Sequence, residues 1–327
     1  MSSDSSKKYL DYLCCPSCKS NLYFLGNNLI CESCQTTYEV ADGIVKITSI
    51  FSKDIELSIE KWDEIYMKQL HSGDFYKAFN EYRQKYFNSV YNQIFSEKKL
   101  DKNSVYLEIG CGTFFFGQAI AEKVGIIIGM DFCSSALKIA KKLLDEKGVT
   151  NYLLIQGDIL KMPLKNSSVD FIYGGGVIEH FKNTQSCIDK LFIVLKEKGV
   201  VMNSVPYLNI SSLTYRQLWG NIPNIIILKQ IAEFVHIKLL KGKHMIFGYE
   251  LSFLGKTLRK MHKRAGFKKI VVSKFEIELR LDSTPNFLKK PLIWLAGSCR
   301  FFWPMIERLA SNNRFFWSMI KVVAQKG

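Results

Sequence analysis

Two sets of residues have the types and spacing that chemistry requires. The first is four cysteines in two pairs, Cys15 and Cys18 in CPSC, then Cys31 and Cys34 in CESC. Each pair forms a knuckle that aims two thiolates at one ion, and four thiolates in tetrahedral array suit zinc. With every ligand position taken by the protein, none is left for water, so the expected zinc is structural and not catalytic. Cys14 is one residue out of register and is expected to point away from the metal. The second set is a glycine pair followed by two acids. VYLEIGCG ends in Gly110 and Gly112, GIIIGMD ends in Asp131, and NYLLIQGD ends in Asp158. Glycines after a buried strand let a ligand approach the backbone. An acid closing the next strand can accept hydrogen bonds from a ribose diol. The dinucleotide fingerprint GxGxxG is broken, because its third slot is Phe115. A bulky turn there fits a ligand without a pyrophosphate.

These residues need a scaffold, and the surrounding pattern supplies one. Strand candidates SVYLEIGCG, GIIIGMD, NYLLIQGD, SSVDFIYGG and VVMNSV are interspersed with helix candidates FGQAIAEKV, SSALKIAKKLLDEKG and QSCIDKLFIVLKEKG. Ser134 or Ser135 opens the second of those helices as a cap. Alternating β and α segments predict an open parallel sheet. Ligands of such sheets bind at the C-terminal ends of the strands. Upstream, LYFLGNNLIC predicts a hairpin between the cysteine pairs. Apolar residues at three and four spacing in KWDEIYMKQL and FYKAFNEYRQKYFNSVYNQIF predict two helices over the mouth of the sheet domain. His71 and Gly73 lie in their joint. Tyr76, Arg83 and Tyr86 are weaker candidates for cofactor contact, and a packing cap is the plainer reading.

Charge is distributed unevenly. Residues 1–237 carry 26 Lys and Arg against 25 Asp and Glu, whereas residues 238–327 carry 19 against 5. A basic C-terminal third suits an acidic substrate, a nucleic acid or an anionic membrane surface. The start MSSDSSKKYLDYL lacks an apolar signal core, and nine cysteines show no staple-like pattern. A reducing, cytoplasmic location is therefore expected, and no apolar run is long enough to predict a membrane span.

The N-terminal stretch LCCPSCKSNL followed by LICESCQTTYEVADGIVKI resembles the zinc ribbon of the small activator subunits that partner tRNA and protein methyltransferases. Farther on, VYLEIGCGT, GMDFCSSALKIAKK and GDILKMPLKNSSVDFIYGGGVIEHF resemble the class I S-adenosylmethionine-dependent methyltransferases. LKEKGVVMNSVP and HKRAGFKKIVVS extend that likeness over residues 102–327. The resemblance implies an α/β fold, a seven-stranded, mostly parallel Rossmann-like methyltransferase sheet with an N-terminal zinc ribbon. Its implied division is a ribbon at 1–50, a helical cap at 51–101 and a methyltransferase domain at 102–327. It also implies S-adenosylmethionine as cofactor. Glu108, Gly110 and Gly112 would line its methionine part. Asp131 would hold the ribose diol, Phe132 would pack on the adenine, and Asp158 beside Ile159 would accept from the adenine amino group. Gly174 and Gly175 would keep the floor of the transfer site close to the sulfonium. Phe114 departs from the glycine usual in that loop and puts its detailed shape in question.

Methyl transfer is an in-line displacement, and a hydroxyl acceptor needs a general base. His180 of VIEHF is the candidate base, because its ordinary pKa lies near neutrality. Glu179 is a candidate pocket carboxylate, and Asn203 and Tyr207 are weaker pocket candidates. GGGVIEH stands where nitrogen-base methylases carry an Asn-Pro-Pro-Tyr-like tetrad, which argues against DNA adenine or glutamine methylation. Specificity is expected in insertions at 207–248 and 283–313, where lysine and arginine mix with bulky apolar residues. The favoured acceptor is a small molecule, sugar or lipid-like compound, with transient membrane-surface contact and no obligate protein partner. The runner-up is an RNA methyltransferase that grips RNA through the basic C-terminal third.

Overall fold

A computed structural model of the chain describes residues 9–47, 55–72, 81–275 and 319–327. The N-terminal module holds β1 (Leu22–Leu25), β2 (Asn28–Cys31), β3 (Thr37–Ala41) and β4 (Ile44–Lys46). Gly26 takes φ +59° in the first hairpin, where Leu25 faces Asn28 across a two-residue turn. Helices α1 (Glu56–Ser72) and α2 (Glu81–Glu97) follow. The larger part runs β5 (Val105–Ile109), α3 (Phe115–Ile120), β6 (Ile126–Asp131), α4 (Ser134–Glu146), β7 (Tyr152–Gln156), β8 (Val169–Gly175), α5 (Thr184–Val194) and β9 (Leu195–Pro206). After it come α6 (Ile210–Leu213), β10 (Ile222–Pro223), α7 (Ile226–Glu233), β11 (Leu251–Ser252), α8 (Gly255–Ala265), β12 (Lys269–Phe275) and β13 (Met319–Gln325).

The fold is α/β, but its sheet is neither seven-stranded nor mostly parallel. One mixed sheet of eleven strands runs in the order β1-β2-β3-β4-β7-β6-β5-β8-β9-β13-β12. Five of its neighbour pairings are parallel and five antiparallel. The cause is a seam: β4 lies parallel to β7, with Ile44 facing Leu154, Val45 facing Ile155 and Lys46 facing Gln156. An open edge of β7 would leave a row of backbone groups unpaired, and the ribbon's last strand satisfies them. Hydrogen bonds from the ribbon also reach the loop after β7. Cys14 N donates to the Pro163 carbonyl at 2.7 Å, and Lys19 Nζ donates to the Met162 carbonyl at 2.6 Å. Buried Leu13, Leu29, Val45 and Ile47 share one core with Ile128, Ile155, Met162 and Leu164.

β5 and β6 are buried at every position, as expected of central strands covered on both faces. α5 ends earlier than its sequence suggests. Lys198 takes φ +59° and its N–H donates to the Lys326 carbonyl at 2.8 Å, so Leu195–Gly199 belong to β9. The two cap helices part company. α1 lies over the C-terminal edge of the sheet. α2 packs through Val90 and Ile94 beside Phe116 and Tyr173, and Tyr86 Oη meets Tyr173 Oη at 2.8 Å. The insertion at 207–248 forms α6, β10, α7 and a π-helical turn over Phe234–Leu239. Gly73, Tyr76 and the insertion at 283–313 lie outside the described residues, as does the Arg83 side chain. No helix among the described residues is long and apolar enough to cross a membrane.

Candidate cofactor cleft and metal centre

The four ribbon thiols converge. The Sγ atoms of Cys15, Cys18, Cys31 and Cys34 all lie within 4.8 Å of one another. Cys15 and Cys34 are 3.6 Å apart, Cys18 and Cys31 3.3 Å. A tetrahedron with zinc–sulfur bonds of about 2.3 Å has edges of about 3.8 Å, so the donors and their spacing fit zinc. The two knuckles repeat one turn. Lys19 N donates to the Cys15 carbonyl and Gln35 N to the Cys31 carbonyl, and both residues have positive φ. Tyr38 Oη lies 3.2 Å from Cys15 Sγ, and Thr36 Oγ1 lies 3.1 Å from Cys34 Sγ. Hydrogen bonds from Ser20 bring the Cys18 thiol down to about 6, which favours the thiolate that binds metal. Cys14 is buried outside this group, as its register predicts.

β5 delivers the glycine turn. Gly110 and Gly112 stand at φ +54° and +52°, and a Cβ on Gly110 would meet Val177 Cγ2 at 2.5 Å. Phe114 is also left-handed, at φ +61°. Its buried ring turns beneath α3, into the space a side chain on Gly117 or Gly129 would need. The ring therefore fills the core and stays out of the cleft.

A cleft of about 660 Å³, open to solvent, lies above this turn. Of the predicted site residues, Gly110, Asp131, Phe132, Asp158, Ile159, Gly175 and His180 line it. Asp131 accepts from Gly112 N and from Cys133 N, each at 2.8 Å, so the acid also shapes the turn. Asp158 is buried and caps the short turn at Ile159–Lys161 by accepting from Leu160 N at 2.9 Å. Glu108, Gly112 and Gly174 do not line the cleft but stand behind its wall. Glu108 accepts from Gly117 N at 3.1 Å and from Tyr106 Oη at 3.2 Å. Gly174 gives room to Asn203 and Ile109, while Gly175 and Gly176 take the lining positions. Glu179 is buried behind Gly176 and is not a cleft carboxylate. Asn203 and Tyr207 do not line the cleft.

Sequence pattern does not single out the roof. Trp62 and Tyr66 of α1 line the cleft, one helical turn apart. Trp62 stacks on Tyr66 at 6.0 Å and on Phe247 at 5.9 Å, and turns its edge to His180 at 6.5 Å. Asp63 on the same helix accepts from Ser135 Oγ at 2.7 Å, which ties α1 to the start of α4.

Burial sets the electrostatics. It raises Asp131 to about 6, against the pull of the Cys133, Gly112 and Phe132 backbone hydrogen bonds. His180 moves below its ordinary value, chiefly through burial. Its Nδ1 lies 2.6 Å from the Tyr249 carbonyl and so donates to it, and the Gly176 backbone also bonds the ring. Burial lifts Glu108 to about 8, with Tyr106 and Gly117 opposing the shift. Its raised pKa contributes stability that is fully present below the unfolded value of 4.5 and is lost as pH rises through about 8. Glu108→Gln keeps an oxygen for both donors. Thermal melts of this variant are expected to match the parent below about pH 4.5 and to decline less as pH rises from there through about 8. A decline over that range identical to the parent's would assign the slope to other groups.

Residues 100–233 match the family described as Methyltransferase domain, and residues 6–43 match the Trm112p-like protein family. Demethylmenaquinone methyltransferase from Geobacillus stearothermophilus is 26% identical over 106 residues, 32% of this chain and 45% of that protein. The enzyme of the same name from Listeria welshimeri is 25% identical over 104 residues, 31% of this chain and 44% of its own length. The chain thus spans about half the length of the curated relatives it matches. Among solved structures, that of the cyclase SpnF superposes with a TM-score of 0.54 at 13% identity, covering 84% of this chain and 96% of its own. That likeness shows the fold alone. The chain carries an S-adenosylmethionine-dependent methyltransferase domain fused behind a Trm112p-like four-cysteine module. The glycine turn and the buried acids beside it fit that cofactor, whose bound form supplies a methyl group on a sulfonium.

Proposed function

We propose that this chain transfers a methyl group from S-adenosylmethionine to a small, lipid-like acceptor, working from the cytoplasmic side of a membrane surface. The observation that carries the reading is the cleft's aromatic roof. Trp62 and Tyr66 of α1 face Asp131, Phe132 and His180 across one cavity. A roof of that kind suits a flat or apolar acceptor more than a phosphate backbone. The matched stretch of the demethylmenaquinone methyltransferases supports the same class. In this reading Asp131 takes the ribose diol, Phe132 and Ile159 flank the adenine, and Asp158 accepts from its amino group. Gly110 and Gly175 let the sulfonium region approach the backbone.

His180 is the proposed proton acceptor. Its lowered pKa keeps the ring neutral below the ordinary histidine range, so activity is expected to fall only as pH drops through that lowered value. The test is transfer of labelled methyl from the cofactor onto a cell extract that is then split into lipid, RNA and protein. Label in the lipid or small-molecule fraction is expected. Label confined to RNA would replace this reading with the RNA methyltransferase. His180→Ala is expected to lower turnover about a hundredfold or more while cofactor affinity holds. Equal turnover would reduce His180 to a brace for Tyr249.

A further inference from the structure

We infer that the outward ridge of α7 and its π-helical extension docks on an anionic lipid bilayer. This rests on the lipid-like acceptor proposed above. A surface helix ordinarily hides its apolar stripe and shows water its polar face. α7 does the reverse. Ile227, Ile231 and Phe234 recur at four and three residue spacing, and they are 69%, 56% and 59% exposed. Ile226 and Leu239 extend the ridge at 78% and 65%. The buried residues of this segment are the small Ala232 and the hydrogen-bonded His236.

Charge identifies the occupant. Lys238, Lys241 and Lys243 follow the ridge and are exposed. Glu233, the one acid in residues 225–249, is turned inward and accepts from Tyr249 Oη at 2.6 Å. A bare apolar ridge closed by lysines that pair with no acid among the described residues is the pattern of a helix that lies in an anionic membrane interface. A partner protein matched to apolar contact alone would gain nothing from those lysines.

The ridge is also coupled to the cleft. His236 Nε2 donates to Gln217 Oε1 at 2.8 Å, and His236 Nδ1 meets His244 Nε2 at 2.8 Å. That clamp holds the ridge to the returning segment. The segment then places Phe247 on Trp62 and the Tyr249 carbonyl on His180. A bilayer seated on the ridge would therefore be linked to the cleft through Phe247 and Tyr249.

The test is co-sedimentation of the full chain with vesicles of phosphatidylcholine, alone or mixed with phosphatidylglycerol. Binding to the mixed vesicles is expected, weaker on the neutral ones and falling with salt. The triple variant Ile227→Ser, Ile231→Ser, Phe234→Ser is expected to lose about tenfold or more in partitioning. Lys238→Gln, Lys241→Gln, Lys243→Gln together should lose about a hundredfold on the anionic vesicles. Cofactor affinity should hold in both, since none of these residues lines the cleft. A parent chain indifferent to both vesicles overturns the proposal. So does a ridge variant that turns a dimer into a monomer while vesicle binding stays the same. Label transferred to detergent-solubilised lipid by a chain that ignores vesicles would sink the docking alone. Vesicle binding with label confined to RNA would support the docking and sink the acceptor.

Discussion

Chelating the metal is expected to cost this chain its cofactor affinity as well as its ribbon. A module as small as the ribbon depends on the ion for folding, because apparent binding free energies of structural zinc reach roughly 10–16 kcal/mol in small domains. In this chain the ribbon does not end at its own surface. β4 supplies the parallel partner of β7, and Cys14 and Lys19 hold the carbonyls of Pro163 and Met162. Those carbonyls belong to the loop that begins with Asp158 and Ile159 in the cleft wall. Loss of the ion should therefore release the wall. Two lost hydrogen bonds at about 1 kcal/mol each lower cofactor affinity roughly tenfold or more. Cys15→Ser or Cys31→Ser should reproduce the loss, with an earlier melt and a tendency to aggregate through the bared edge of β7. Cys14→Ser should keep its zinc, because Cys14 is outside the group of four converging thiols. Calorimetry of cofactor binding to metal-free protein decides the matter. Unchanged affinity and melting temperature would detach the ribbon from the cleft.

What is legible in the sequence is what is local. CPSC and CESC aim their thiols through a turn of a few residues, so spacing alone fixes the metal site. The glycine turn and the acids closing β6 and β7 are likewise set by strand ends, and Gly110, Asp131, Phe132, Asp158, Ile159 and His180 all line the cleft. The misses are long-range. Nothing in IVK and LLIQ announces that β4 and β7 pair across more than a hundred residues, and that pairing turns the expected sheet into a mixed one of eleven strands. Periodicity in KWDEIY shows that α1 buries a face but not against what, so it does not mark Trp62 and Tyr66 as a roof. Glu179 and His180 are neighbours in sequence, yet a short turn over Ile178–His180 sends only His180 to the cleft. Its partner is the Tyr249 carbonyl, a backbone atom that no side-chain pattern reveals.

Asp131→Ala should weaken cofactor binding by more than the loss of one hydrogen bond, because the carboxylate does two jobs at once. In the proposed function it takes the ribose diol. In the folded chain it already accepts from Gly112 N and Cys133 N, which fixes the glycine turn and the entry to α4. An ionised carboxylate has about four acceptor positions, so the Gly112, Cys133 and Phe132 backbone donors still leave room for a diol hydroxyl. Alanine removes the diol bonds, at roughly 1.5–3 kcal/mol for one bond to a charged group, or about tenfold or more in affinity. It also leaves those backbone N–H groups without their acceptor, at roughly 1–3 kcal/mol each, so the melting temperature should fall as well. The two effects separate with pH. Burial raises the Asp131 pKa from 3.8 to about 6. Its contribution to fold stability is therefore fully present below 3.8 and is lost as pH rises through about 6. Diol binding needs the ionised form and changes in the opposite sense, with affinity rising as pH rises through about 6. Calorimetry and thermal melts across that range should show the two opposed slopes in the parent chain and neither in Asp131→Ala. Cofactor affinity that ignores both the substitution and the pH would remove Asp131 from the binding site.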